Sequence, residues 1–128
     1  MRRLAALLLA LGAAGCASWF MSPGQKFSVF FTPLSSQLDA NATAAVAGAA
    51  SWARRYPNQT LTVVGYTDPR INRQLNEELA LRRAQAVADQ LVRDGVPIGR
   101  VTPATGDATI LPLALQADRR VDISFAPP

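Results

Sequence analysis

The chain has 128 residues, of which 49% are hydrophobic and 17% charged, and its formal net charge is +4. This length and composition indicate one globular domain with its own hydrophobic core, and they exclude a disordered chain. The sequence contains no histidine and a single cysteine, which excludes an intrachain disulfide, CxxC metal or redox motifs, and catalytic triads that depend on histidine.

The N-terminal residues have the layout of a bacterial export signal. Arg2 and Arg3 precede an apolar run, Leu4 to Leu11, that is too short to span a bilayer, and small residues then lead to Cys16. The tract AAGC resembles the lipobox of bacterial lipoproteins, which implies cleavage before Cys16, its acylation (with palmitate, for example) and, since Ala17 follows, delivery to the outer membrane. An ordinary cleaved signal with an incidental cysteine is the alternative. We predict a signal peptide over residues 1–15, a lipidated tether over 16–25 and a folded domain over 26–128.

The first half of the folded domain is predicted to contain a strand and a helix. Aromatic and β-branched residues cluster over Lys26 to Phe31 and end at Pro33, which favours a short strand. The alanine-rich stretch from Ala40 to Tyr56 favours a helix, because alanine is the best helix former. Either Ser36 or Asp39 is suited to cap the start of this helix.

A second strand and a second helix follow, and two more strands complete the domain. The second strand is predicted over Gln59 to Tyr66, and Gly65 near its end permits either a close approach or a bend. The second helix is predicted over Arg73 to Asp94, with Gly95 just beyond its C-terminus.

A short third strand is predicted over Gly99 to Gly106, and a last strand over Arg119 to Ala126. The last strand alternates, with Val121, Ile123 and Phe125 on one face and Arg120, Asp122 and Ser124 on the other, which is typical of a half-buried strand. The order β-α-β-α-β-β predicts an α/β two-layer sandwich, with both helices packed on one face of a mixed sheet.

An arginine interrupts the apolar face of the second helix. At 3.6 residues per turn, Arg83 falls inside an apolar arc, and so does Asn76. The apolar arc consists of Leu75, Leu79, Ala80, Val87 and Leu91. Burial of an unpaired guanidinium costs several kcal/mol, so Arg83 must either reach a rim or meet an anion. Asp68, directly after the second strand, is the candidate anion, and the pair could form a structural salt bridge or flank a groove for a zwitterionic ligand.

Several motifs at fixed spacing resemble those of OmpA-like peptidoglycan-binding domains. The motifs are FSVFF at residues 27–31, GYTD at 65–68, Asn76, Leu79, RRA at 82–84 and DRRVDI at 118–123, and the similarity extends over about Lys26 to Phe125. The resemblance implies non-covalent binding of the diaminopimelate residue of the peptidoglycan stem peptide. It assigns the ligand ammonium to Asp68, the ligand carboxylate to Arg83, and the pocket walls to Asn76, Leu79, Phe31 and Thr32.

Arg119 and Arg120, at the start of the last strand, are either supporting residues of this site or ordinary charges that are solvated or paired with a nearby acid, Asp118 or Asp122. Thr32 and Leu34 stand where the family often has acidic residues, and the segment between Gly106 and Arg119 is shorter than usual. These departures motivate an alternative, in which the chain is an envelope protein-interaction subunit without strong peptidoglycan binding.

The number and placement of the charged residues disfavour an enzyme and a nucleic-acid-binding protein. An envelope hydrolase would need two converging carboxylates, and the nine acidic residues are dispersed, so we expect no enzyme, no catalytic residue, no metal site and no cofactor. Cleavage before Cys16 would remove two of the 13 basic residues. The remaining 11 basic and nine acidic residues would give a net charge of +2. We therefore expect no nucleic-acid partner. The expected partners are peptidoglycan, the outer membrane through the lipid on Cys16, and other envelope proteins, at the periplasmic face of the outer membrane.

Overall fold

The computed structural model describes residues 24–67, 73–107 and 119–126. Four strands and two long helices occur in the predicted order. Their bounds are β1 Lys26–Phe30, α1 Ala40–Arg55, β2 Thr60–Thr67, α2 Arg73–Arg93, β3 Val101–Asp107 and β4 Arg120–Ala126. The third strand begins later than predicted because Ile98–Arg100 forms a 3-10 turn before it.

The four strands form one mixed sheet in the order β1-β4-β2-β3. β4 runs antiparallel to both of its neighbours, whereas β2 and β3 are parallel. The parallel pair is joined by α2, as expected, because parallel neighbours require a crossover connection. The predicted mixed sheet with two packed helices is confirmed.

The helices cover one face of the sheet and the core lies between the two layers. The alternation predicted for β4 is confirmed, since Val121, Ile123 and Phe125 are all buried. The other core residues come from β1, β2 and both helices; they include Val29, Leu61, Val63, Val46, Ala49, Ala53, Ala84, Val87 and Leu91. Leu75 was placed on the apolar arc of α2, but it is 58% exposed, so the burial expected for it is wrong.

Both helices have the predicted caps. The Asp39 carboxylate accepts a hydrogen bond from the backbone N–H of Ala42 at 2.7 Å, so Asp39 rather than Ser36 caps α1. Gly95 follows α2 with a φ of 101°, a conformation that glycine adopts without steric cost. The N–H of Val96 donates back to the carbonyl of Leu91 at 3.0 Å, which completes a Schellman motif.

Gly65 allows β2 and α2 to approach closely. A Cβ atom built on Gly65 would lie 2.8 Å from the backbone carbonyl carbon of Ala80, and closer still to its oxygen. The predicted close approach is therefore confirmed. It fixes the depth of α2 on the sheet three residues before Arg83.

A second arginine, Arg100, holds the C-terminal end of α1. Its guanidinium donates to the backbone carbonyls of Gln59 at 2.9 Å, Ala53 at 3.0 Å and Tyr56 at 2.9 Å. A cation near the last carbonyls of a helix is favourable because the helix dipole is negative there. Within the described ranges, neither helix is long and apolar enough to cross a membrane.

Candidate functional site

Arg83 is buried against the core, as its place in the apolar arc predicts. It is 3% exposed, which excludes an escape to the rim. Its Nε donates to the carbonyl oxygen of Ser35 at 2.8 Å, and its Nη2 donates to the carbonyl oxygen of Thr32 at 3.1 Å. These bonds tie α2 to the segment that follows β1. Backbone carbonyls therefore contribute to compensating its burial, and the pairing of Arg83 with Asp68 stays a prediction.

The electrostatic setting of Arg83 favours a nearby negative charge. Carbonyls are neutral acceptors, so the guanidinium keeps its full positive charge while it loses most of its contact with water. The ring of Phe31 lies 5.4 Å from the guanidinium carbon, a cation–π contact. Burial lowers the pKa of Arg83 from its ordinary value, and the positive charge of Arg119 lowers this pKa further. A negative charge close to Arg83, from a side chain or from a ligand, offsets both effects.

The acceptors of Arg83 belong to a tight turn with an unusual residue. The N–H of Ser35 donates to the carbonyl of Thr32 at 3.2 Å, Pro33 occupies the second position, and Leu34 occupies the third with a φ of 59°. This is the arrangement of a type II turn, where glycine or asparagine is usual at the third position. Leu34 is 90% exposed, so the turn presents a large apolar side chain to solvent.

A cleft lies beside this turn. It is lined by Phe30, Phe31, Thr32, Pro33 and Arg119, with a volume of about 320 Å³. The N–H of Phe31 donates to the carbonyl of Arg119 at 2.8 Å, which holds the residue before β4 against the end of β1. Phe31 and Thr32 contribute both to this cleft and to the surroundings of Arg83. The structure thus brings together Arg83, Phe31, Thr32 and Arg119, four of the predicted site residues.

Arg120 makes its contacts on the sheet face that is not covered by the helices. Its Nε lies 3.1 Å from Oδ1 of Asp122, and its guanidinium carbon lies 4.8 Å from the ring centre of Tyr66. Asp122 is only 1% exposed, and it also accepts a hydrogen bond from Ser28 at 2.8 Å and pairs with Lys26 at 3.4 Å. The alternation of β4 placed Asp122 on the face opposite the core, and on that face these side chains cover it. The predicted alternative that Arg120 pairs with Asp122 is confirmed. A supporting role for Arg120 at the site stays a prediction.

The remaining predicted residues lie N-terminal to Arg83. Leu79 and Asn76 are partly buried on α2, one and two turns before it. Asp68 lies outside the described residues, and so does Cys16. In the described ranges, no group of three histidine, cysteine, aspartate or glutamate side chains could hold a metal ion.

Sequence reasoning missed the backbone acceptors of Arg83. Any residue supplies a carbonyl, so the identities of Thr32 and Ser35 gave no indication of these bonds. The available signal was the stretch TPLS at residues 32–35, in which proline at the second position favours a turn.

Comparison with known proteins identifies a family that the sequence matches. The sequence matches the OmpA family over residues 30–119. A peptidoglycan-associated lipoprotein of Agrobacterium fabrum is 40% identical over 101 residues, covering 73% of this chain and 55% of the relative. One of Rhizobium meliloti is 35% identical over 119 residues, covering 75% of this chain and 68% of the relative. The chain thus spans little more than half the length of the first relative.

A solved structure shows the same fold. The crystal structure of the peptidoglycan-associated lipoprotein from Burkholderia pseudomallei superimposes with a TM-score of 0.68 at 23% identity, covering 78% of this chain and 90% of that chain. The family match extends from the end of β1 to the residue before β4, so it includes Arg83 and the cleft. With two relatives above 30% identity, these matches show that the chain belongs to the OmpA family.

Proposed function

We propose that this protein binds peptidoglycan non-covalently, through the zwitterionic end of diaminopimelate in the stem peptide. Arg83 binds the carboxylate of that end and Asp68 binds its ammonium. Phe31, Thr32 and two residues of α2, Asn76 and Leu79, form the walls. The names of the two relatives, both peptidoglycan-associated lipoproteins, support this ligand.

The observation that carries the proposal is that Arg83 is buried and held in place by hydrogen bonds. A guanidinium that is 3% exposed and bonded to neutral carbonyls is a preorganised positive charge, because its geometry is fixed before any ligand arrives. A guanidinium carries its N–H donors in a planar fork, which matches the two oxygens of a carboxylate. A carboxylate bound in this poorly solvated setting gains more than it would in water.

The second part of the proposal is attachment to the outer membrane. Acyl chains on Cys16 hold one end of the protein in the membrane, and the pocket holds the cell wall at the other. Several acyl chains give stable attachment, whereas one gives only marginal binding. The residues 16–25 form the tether between the anchor and the domain, which places the domain in the periplasm.

A sacculus pull-down tests the binding. Full-length protein in detergent is mixed with purified sacculi, and the retained fraction is measured for the wild type and for Asp68→Asn and Arg83→Gln, with free diaminopimelate as competitor. Arg82→Gln is the matched control, because the neighbouring Arg82 is exposed and pairs with Glu78 at 4.0 Å on the helix surface. We expect both site variants to lose retention by about tenfold or more, and Arg82→Gln to keep it.

Two results would contradict the proposal. The first is retention that is unchanged in both site variants. The second is wild-type retention no better than that of an unrelated domain. If crosslinking then captured a stable envelope protein, the two results together would favour the protein-interaction alternative. The intact mass of membrane-extracted protein tests the lipid anchor. We expect the mass of a chain that begins at Cys16 plus the mass of its acyl groups.

A further inference from the structure

The end of the domain opposite the candidate site is rich in arginine. Both long helices start at the site end and run back, so their last turns lie at the end of the sheet where β2 and β3 begin. Four arginines lie at the helix ends and in the 3-10 turn that follows α2, and we call them the basic end: Arg54, Arg55, Arg93 and Arg100. The acids in the last turns of α2 and directly after it are Asp89 and Asp94, so positive charge is in excess there.

Two of these arginines join the helix ends into one surface. The guanidinium of Arg54 donates to the backbone carbonyl of Asp94 at 2.6 Å, which connects the end of α1 to the end of α2. The three bonds of Arg100 to backbone carbonyls connect the end of α1 to the 3-10 turn Ile98–Arg100. Carbonyls are neutral acceptors, so these bonds leave the charge of both guanidinium groups in place. The other two arginines, Arg55 and Arg93, are exposed.

Apolar side chains lie exposed beside these charges. Ile98, in the 3-10 turn, is 77% exposed, and Val92, in the last turn of α2, is also exposed. Tyr56 directly follows α1, and its exposed ring lies 4.5 Å from the ring of Trp52, centre to centre. Arginines interspersed with exposed aliphatic and aromatic side chains are suited to the boundary between lipid headgroups and acyl chains.

The chain enters the folded domain at the same end. The carbonyl of Gln25, directly before β1, accepts a hydrogen bond from the N–H of Phe125 at 3.0 Å, near the end of β4. The end of β4 in turn lies beside the start of β2, where Ala126 pairs with Thr60. The start of β1 therefore lies at the end of the sheet towards which both helices run.

The tether is short. Eight peptide units separate Cys16 from Gly24, the first described residue, and they span at most about 29 Å when fully extended. An anchor on Cys16 thus favours the basic end, rather than the site, as the part of the domain nearest the bilayer. The tether also contains Trp19 and Phe20, and tryptophan in particular is enriched at membrane interfaces.

The sequence outside the described ranges adds no acid next to the basic end. Residues 16–23 and 127–128, which adjoin the start of the domain and the end of β4, contain no acidic residue. Asp68 directly follows β2 and Asp118 lies two residues before β4, so both adjoin the site end of the sheet. The excess of positive charge is thus a property of the end where the tether attaches.

We propose that the basic end binds the anionic phospholipid surface of the membrane that holds the acyl chains. The arginines bind lipid phosphates, and Ile98 and Tyr56 contact the boundary of the acyl region. The proposal rests on the proposed attachment through Cys16. It gives the domain one orientation, in which the helices end at the membrane and the site at the other end of the sheet faces the cell wall. Each arginine near such a surface strengthens binding by about fivefold, which corresponds to about 1 kcal/mol.

A fluorescent label on one introduced cysteine measures which end of the domain contacts the bilayer. Gly99→Cys places the label at the basic end, where an added Cβ has no atom of a non-neighbouring described residue within 4 Å. Gln37→Cys places it at the site end, on an exposed residue between β1 and α1. Acylation of Cys16 leaves the introduced cysteine as the one free thiol of the mature chain.

The labelled, acylated full-length protein is reconstituted into phosphatidylcholine vesicles with and without phosphatidylglycerol. Quenching by a lipid with a quencher on its headgroup reports the distance of each label from the surface. We expect stronger quenching at residue 99 than at residue 37 in the anionic vesicles. The difference should disappear without phosphatidylglycerol and in about 1 M salt, where the screening length is about 3 Å.

Charge variants of the protein labelled at residue 99 test the arginines. Arg93→Gln should lower the ratio of docked to free domain about fivefold, and Arg55→Gln combined with Arg93→Gln about 25-fold. Arg82→Gln is the matched control, because it removes the same charge from an exposed residue of the same helix, three turns before Arg93, and it should leave the quenching unchanged. Arg54 and Arg100 are kept because they hold the helix ends, and thermal melting checks that each variant is folded.

The possible results separate the inference from the attachment on which it rests. Equal quenching of the two labels in anionic vesicles would overturn the inference, and so would quenching at residue 99 that persists in neutral vesicles and in high salt. Equal losses in Arg82→Gln and Arg93→Gln would show a general effect of net charge, which also overturns it. A protein that does not enter the vesicles at all would instead contradict the proposed acyl anchor, and retention on sacculi tests peptidoglycan binding independently of both.

Discussion

Substitution of Gly65 by alanine should separate α2 from the sheet. The added Cβ would lie 2.8 Å from the carbonyl carbon of Ala80, and this neighbour is backbone that cannot rotate away. Overpacking of a core costs about 1–3 kcal/mol, and we expect the upper end, about 3 kcal/mol, because a whole helix must shift. A loss of this size lowers the melting temperature of a domain of about 100 residues by roughly 12–24 °C.

The matched control is Gly48→Ala on α1. A Cβ at Gly48 would meet Cε1 of Phe27 at 3.6 Å, which is an ordinary van der Waals contact. Alanine replaces glycine in the middle of a helix there, so we expect a gain of up to about 1 kcal/mol. Both variants are compared with the wild type by urea unfolding and by thermal melting, followed by circular dichroism.

Gly65→Ala should also weaken ligand binding, since Ala80 lies one turn before Arg83 and moves with it. Displacement of the guanidinium by even about 1 Å can be costly for a preorganised site. A Gly65→Ala protein that melts within about 2 °C of the wild type, or above Gly48→Ala, would refute the reasoning from close packing.

Three further predictions about stability are tested by urea unfolding. Leu34→Gly should stabilise by up to about 1 kcal/mol, because Leu34 has a φ of 59° and is 90% exposed; a lower midpoint would contradict the turn. Arg100→Met should destabilise by about 2–3 kcal/mol, because three backbone carbonyls lose a charged donor. Arg93→Met, at an exposed arginine, is the control, and equal losses in the two variants would contradict the role of Arg100 in holding the end of α1. Asp122→Asn should destabilise by about 3 kcal/mol, because Asp122 is a carboxylate buried among cations, and Ser28→Ala by only about 1 kcal/mol; the reverse order would contradict the network.

The fold was predictable because its signals are local and repeated. The alternation of Val121, Ile123 and Phe125 identified the core face of β4, and Gly95 marked the end of α2. Gly65 indicated a close approach at the right place, although the partner, Ala80, could be identified only once the packing of α2 was known.

The candidate site was predictable only in part. Arg83 was found because a charge stands out on an apolar face, but its bonds to the carbonyls of Thr32 and Ser35 depend on the path of a turn. The burial of Asp122 depends on Lys26 and Ser28 of the neighbouring strand β1 as well as on Arg120, which alternation along β4 alone cannot reveal. The ligand-binding role of Asp68 and the acylation of Cys16 stay predictions, and both residues lie outside the described ranges.

The most direct test of the central claim is a titration with two stem tetrapeptides that differ by one group. The first contains diaminopimelate and the second contains lysine, which has the same side chain and ammonium without the terminal carboxylate. If the buried Arg83 recognises that carboxylate, full-length protein binds the diaminopimelate peptide about tenfold or more tightly, and Arg83→Lys reduces this preference. Equal affinity of the wild-type protein for the two peptides would contradict the claim.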